Sequence, residues 1–257
     1  CIRDRAIPAH TIPEAEKPSQ GTHFSKLTPF SDQVHLGAVF GLPPKEDRDE
    51  SWHVITVTEY SMLKKSEISE LPGPSAQLFT LVKVNQGDKL MSIRLSDGQK
   101  EIFLATSQGM AIRFSEDDVR PMGLVAAGVN GMKLAEGDSV IGLETLPKKG
   151  SIYFLTASGR AKRVNPDDFP IQGRYGKGVI AWKLPEEDQL IGMTAGKDTM
   201  RVTVHLEKFA PKSTRLDDAP LQTRVAQKGK EVVDMRDDDR VTLLTIPWEM
   251  VRPVSKS

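Results

Sequence analysis

The stretch Gln172-Gly173-Arg174-Tyr175-Gly176-Lys177-Gly178 has the residue types that a phosphate backbone requires of a protein. Contact with phosphates that ignores base sequence needs Arg and Lys side chains together with exposed backbone N–H groups. Gly176 and Gly178 allow close backbone approach and Lys177 supplies charge. Arg174 presents a fork that can grip a phosphate through two parallel hydrogen bonds, as Lys cannot. Tyr175 either packs on a sugar or covers an edge, and the plain alternative for the whole stretch is a glycine-rich connection with solvated charges. Other cations fall at related positions along the chain: Lys64-Lys65, Arg113 with Arg120, and Lys162-Arg163, then Lys212, Arg215, Arg224, Lys228 and Lys230. Each alone reads as a solvated charge on an outer strand. Their shared register predicts a path for a bent duplex held through its backbone.

Other chemistries find less support. Asp117-Asp118, Asp167-Asp168 and Asp217-Asp218 have the form of metal ligands or a catalytic carboxylate pair, but a catalytic pair is not expected in three successive copies. A structural role in turns fits them better, as it does Asp32, Asp88, Asp138 and Asp188, each of which precedes an apolar strand. His10, His23, His35, His53 and His205 show no ligand spacing, so no metal is assigned. The lone Cys1 excludes an internal disulfide framework. No apolar run is long enough to cross a bilayer as a helix. Lys+Arg and Asp+Glu are balanced at 35 each, which counts against a uniformly basic binder and leaves room for a basic stripe. The start, Cys1-Ile2-Arg3-Asp4-Arg5, reads as non-native sequence from a library end, the alternative being an ordinary processed N-terminus.

These residues are organised by an internal repeat. Ile102-Phe103-Leu104-Ala105-Thr106-Ser107-Gln108-Gly109 returns 50 residues later as Ile152-Tyr153-Phe154-Leu155-Thr156-Ala157-Ser158-Gly159. The same offset superposes Gly128-Val129 on Gly178-Val179 and Asp138 on Asp188. Within each copy an apolar or β-branched run enters a short turn, a second strand with Arg or Lys follows, and an acidic loop leads to a Gly-Val segment and a last apolar strand. No segment sustains a helical period. A four-stranded sheet of this length cannot bury both faces alone, so the copies must stack. The expected fold is therefore all-β and propeller-like, with blades at about 6–45 (partial), 46–96, 97–146, 147–195 and 196–249 and a tail at 250–257. A β-solenoid is the alternative.

The segment Glu101 to Phe114, continuing through Asp118-Val119-Arg120-Pro121-Met122-Gly123, resembles the C-terminal repeats of the gyrase A protein of bacterial DNA gyrase. Ile12-Pro13-Glu14-Ala15 resembles another repeat of that domain. The resemblance covers the chain after residue 6 and is strongest over 97–195. It implies a β-pinwheel whose blades exchange strands, about five of six blades being present, and a domain that wraps double-stranded DNA around a basic rim. It also implies partners in the gyrase A cleavage core and in the gyrase B protein of a heterotetramer, a bacterial cytoplasmic, nucleoid-associated setting, and no cofactor in this part, ATP and Mg2+ being bound elsewhere. The related topoisomerase IV has a similar domain. The family's gyrase box, Gln-Arg-Arg-Gly-Gly-Lys-Gly, is matched by residues 172–178 at five of seven positions, departing at Gly173 and Tyr175. Its place in the repeat order resembles the fifth-blade copy rather than the first-blade box. Arg174-Tyr175 has the order of a type IIA cleavage tyrosine, but its glycine flanks and repeat position, occupied by Val125 one copy earlier, argue against catalysis. The expectation is a non-enzymatic DNA-binding module. The alternative is a propeller that binds a protein or small ligand through its central face.

Overall fold

A computed structural model describes residues 4–16, 20–33, 36–74, 77–236 and 238–246. Cys1 to Arg3, His35, Asp237 and the 250–257 tail lie outside them.

Four antiparallel hairpins form where the repeat predicts strand–turn–strand. They are His53–Thr58 (β1) with Met62–Glu67 (β2), Glu101–Thr106 (β4) with Met110–Ser115 (β5), Ser151–Thr156 (β8) with Arg160–Val164 (β9), and Arg201–Leu206 (β12) with Lys212–Arg215 (β13). The last apolar strand of each copy, Leu90–Ser96 (β3), Val140–Thr145 (β7), Leu190–Gly196 (β11) or Val241–Thr245 (β15), pairs with the first strand of its own hairpin. The acidic loop of each copy is a single 3-10 turn, as at Glu116–Asp118 and Pro166–Asp168, capped by Ser115 and Asn165.

The fourth strand of a sheet comes from the following copy. Val129–Asn130 (β6) pairs with β2, Val179–Ile180 (β10) with β5, and Lys230–Glu231 (β14) with β9. The strand orders are therefore β3-β1-β2-β6, β10-β5-β4-β7 and β11-β8-β9-β14, and the last sheet, β13-β12-β15, has three strands among the described residues. The exchange is stitched further by backbone bonds from Gly131, Ala181 and Val232 to the hairpin turns at Ser61, Gly109 and Gly159. This is a β-pinwheel, and the exchange explains why successive copies keep their register.

Apolar residues of neighbouring sheets meet between the blades. Phe103 of β4 and Phe154 of β8 pack on Phe169, with ring centroids 4.8 Å apart for Phe103 and Phe169. All six residues of β8 are buried, as expected for a strand covered on both faces.

No sheet forms among the described residues of 6–45, where a partial blade was expected. Just before that stretch Asp4 pairs with Phe79, its N–H donating to the Phe79 carbonyl at 2.9 Å and its carbonyl accepting from the Phe79 N–H at 3.1 Å. Phe79 precedes Val129 by 50 residues, and Val129 pairs with Leu63. Asp4 therefore stands in the slot that Leu63 takes in β2, although it lies in the segment read as non-native.

Candidate nucleic-acid interface

Strands β3, β7, β11 and β15 contact one another in succession and so line the inner side of the ring. The exchanged strands lie at the opposite edge of each sheet. The connections that lead into them, after each 3-10 turn, therefore form the outer rim. Residues 120–130, 170–180 and 220–230 are these connections, and none of the three contains Asp or Glu. They carry Arg120, then Arg174 and Lys177, then Arg224, Lys228 and Lys230. Local segregation of this kind lets a chain of zero net charge show a cationic stripe. The 3-10 turns that precede them carry acids, Asp167 being well exposed, so the stripe is bounded on one side by negative charge.

Arg120, Lys177 and Lys228 are exposed and make no side-chain hydrogen bond or ion pair among the described residues. Arg174 is half-buried and donates from Nε to the Asp118 carbonyl at 3.2 Å and from one terminal nitrogen to the Asn130 carbonyl. Arg224 repeats the second contact one copy later, donating to the Ile180 carbonyl at 3.0 Å. A guanidinium has five N–H donors in a fixed plane. The carbonyls aim the group and leave several donors for an anion. Lys230 donates to the Asp218 carbonyl at 3.1 Å, and Lys212 to that of Asp234 at 2.8 Å. Arg215 is exposed but paired with Asp217 at 3.2 Å and Asp218 at 3.8 Å.

Five sequence-chosen cations do not reach solvent in a usable way. Lys64 and Lys162 are fully buried. The Lys64 ammonium donates to the Leu81 and Leu124 carbonyls at 2.6 Å each. That of Lys162 donates to Arg224 and Ala226 at 2.8 Å, and more weakly to Thr223 at 3.4 Å, above the face of Trp182. Burial pulls both ammonium groups down to about 8, against the opposing charges of Glu70 and Asp4 at Lys64 and of Asp168 at Lys162. Lys65 pairs with buried Glu116 at 3.0 Å, Arg113 with Glu101, and Arg163 with Asp198. The Arg163 guanidinium and the Ser151 hydroxyl hold the Asp198 carboxyl below the usual range. These residues belong to the joints between blades. Lys64 and Lys162 lie on one strand face and Lys65, Arg113 and Arg163 on the other, and the next copy reaches over both.

The lysines act as staples on those loops, and the middle copy shows what replaces one. Ile112 stands where Lys64 and Lys162 stand in their hairpins. The connection beside it is held by its own backbone: the Tyr175 N–H donates to the Gly131 carbonyl at 2.8 Å, and Gly176 accepts from the Lys133 N–H at 3.0 Å. Turning that amide inward puts Tyr175 at φ +67° and leaves its ring about half exposed. The family box has glycine at this position, the residue that takes a left-handed φ without steric penalty.

Gly178 has a structural duty. Its φ is +74°, and a Cβ there would lie 2.2 Å from the Ala111 carbonyl oxygen. Gly128, with φ +102°, would strike the Leu63 carbonyl at 2.4 Å in the same way. The glycine lets each exchanged strand close on its neighbour.

The carboxylates are structural here. Asp138 accepts from the Gln108 and Ser139 N–H groups and the Ser107 hydroxyl, and Asp88, Asp188 and Asp239 cap their own hairpins alike. Among the described residues no cluster of three or more His, Cys, Asp or Glu is placed to hold a metal. Sequence reasoning missed Lys83, Lys133 and Lys183, which are exposed at the same position of three copies. Their spacing of 50 was the available signal. Lys183 lines a shallow depression with Lys228 and Arg160.

Residues 100–147 and 150–195 match the family model described as the DNA gyrase C-terminal domain, beta-propeller. Over these residues the chain is similar to the C-terminal domain of the gyrase A protein. It is 33% identical to the gyrase A protein of Klebsiella oxytoca over 126 residues and 30% identical to that of Haloquadratum walsbyi over 129. Those alignments cover 49% and 50% of this chain but only 14% and 15% of the relatives. The fold is shared with a solved C-terminal domain of DNA topoisomerase IV (TM-score 0.74, 23% identity, 88% of this chain and 70% of that one). It is also shared with a DNA gyrase A C-terminal domain (TM-score 0.70, 17% identity, 89% and 75%). No helix among the described residues is long and apolar enough to cross a membrane.

Proposed function

We propose that this chain is the DNA-binding and DNA-wrapping domain of a type IIA topoisomerase of the gyrase kind, and that it holds duplex against its outer rim by backbone contacts. The observation that carries the reading is the register of three acid-free, cation-bearing connections on one edge of consecutive blades. The proposed contacts are Arg120, Arg174, Lys177, Arg224 and Lys228, with Gln172 and the backbone of Gly176 beside them, and Lys83, Lys133 and Lys183 beyond those connections. Arg and Lys disposed this way neutralise phosphates without reading bases. Free cations at the rim favour this over a ligand held in a central funnel.

In the intact enzyme the wrapped segment would be presented to the cleavage core for strand passage, with ATP used by the gyrase B protein to give negative supercoils. The domain's own share is positioning, with no bond made or broken and no cofactor held. Titrating a fluorescent linear duplex with the 257-residue chain tests the binding. Affinity should fall steeply with salt and vary little with sequence, and a linking-number shift on ligated circles should report wrapping. Arg174→Ala and Lys177→Ala should each flatten the logarithmic salt slope by about 1. Absence of binding at low salt by a folded sample overturns the reading.

A further inference from the structure

Exposed apolar side chains recur on the same rim connections. Ile171 and Tyr175 are 61% and 51% exposed, and their counterparts 50 residues on, Leu221 and Val225, are 59% and 60% exposed. One copy earlier the same two positions hold Pro121 and Val125, the latter 73% exposed. Isolated exposed apolar residues are ordinary on a protein surface, whereas a set in register on consecutive blades calls for a partner.

The backbone beneath them is fixed. Ile171 forms a parallel bridge with Arg113 and Leu221 with Arg163, and the next residues, Gln172 and Gln222, donate to the Arg113 and Arg163 carbonyls at 2.8 and 2.9 Å. The side chains therefore project from rigid points. What surrounds them is cationic: Arg174 and Lys177 follow Ile171, and Arg224 and Lys228 follow Leu221, with no acid in either stretch. A partner must present apolar surface flanked by closely spaced negative charge. The walls of a DNA minor groove do so, deoxyribose carbons lying between two rows of phosphates, and apolar wedges there help a protein bend the duplex.

We propose that Ile171, Tyr175, Leu221 and Val225 form an apolar ridge that packs on the sugars of the minor groove where duplex crosses the rim. The inference rests on the DNA-binding reading and adds to it a contact that salt does not screen. It is tested with the variant Ile171→Thr/Leu221→Asn/Val225→Thr in the full chain. These side chains are exposed, so the urea midpoint should stay at the wild-type value, which confirms a folded sample. Its affinity for linear duplex should fall on the order of tenfold by a similar factor at every salt concentration, leaving the salt slope unchanged. A minor-groove-filling drug should weaken the wild type and add little to the variant's loss.

A folded variant that binds with wild-type affinity, while the wild type keeps its steep salt dependence, overturns the ridge and leaves DNA binding standing. Such a result would assign the exposed residues to a protein surface. If the wild type fails to bind at low salt, both proposals fall. An equal effect of the drug on both proteins overturns the groove assignment.

Discussion

Replacing Gly178 with alanine is expected to unseat an exchanged strand. The residue sits at φ +74° with the Ala111 carbonyl oxygen 2.2 Å from where a Cβ would be. A left-handed conformation costs an L residue about 1–2 kcal/mol. The contact is with the backbone of β5, so relief must come from moving β10, the edge strand of that sheet. That movement threatens the Val179–Ala111 and Ile180–Met110 pairings, each hydrogen bond being worth about 0.5–1.5 kcal/mol. A loss of about 2–4 kcal/mol follows. Urea unfolding followed by tryptophan fluorescence gives the value, and Gly173→Ala is the control. Gly173 meets no atom within 4 Å of an added Cβ and has no left-handed φ, and Thr223 fills its place one copy later. The control should change stability by less than about 0.5 kcal/mol. Equal midpoints for the two variants would refute the argument, since both lie in the same glycine-rich stretch and differ in backbone φ and in what surrounds them.

Lys162→Met keeps an unbranched side chain one atom shorter but leaves the Arg224 and Ala226 carbonyls without their donor. It should cost about 1–3 kcal/mol in the urea midpoint at pH 7. The pH dependence has a definite sign. The folded Lys162 is lowered from 10.5 to about 8, so between those values the unfolded chain holds a proton that the folded one has released. Stability should therefore rise with pH across that window, by up to about 3 kcal/mol for one such lysine. The wild-type minus Lys162→Met difference, followed from pH 7.5 to 10 by urea unfolding, isolates this gain, and a flat difference would contradict it. Asp138→Ala removes three hydrogen bonds to one carboxylate and should lower stability by about 2–3 kcal/mol. Calorimetry would read this as a lower Tm, and an unchanged Tm would show that the hairpin does not depend on its cap.

The repeat made the hairpins, the order of strands and the stacking legible, because alternation and turn residues act within one copy. The strand exchange was legible only through resemblance, since it joins β2 to β6 across more than sixty residues. The same distance hid the fate of five cations. Lys64 and Lys162 stand on the strand face that Ile112 occupies in its own hairpin, yet the loop carbonyls that accept from them come largely from the next copy. Lys177 and Arg120 face no such cover, and nothing local in the chain distinguishes the two cases. Gly178 was legible as a point of close approach, but not that the Ala111 carbonyl is a group that approaches it. Tyr175 departs from the box, and its left-handed turn becomes intelligible only beside Ile112, which lacks the ammonium that its counterparts use.

The strand exchange also sets an order on synthesis. The β1–β2 sheet is complete only when Val129–Asn130 has been made, and the β4–β5 sheet waits for Val179–Ile180. A growing chain thus leaves the ribosome with one unfinished blade always trailing, its outer edge open until the following repeat arrives to close it. Each repeat acts as the chaperone of the one before it. Among the described residues the β13 edge receives no such visitor.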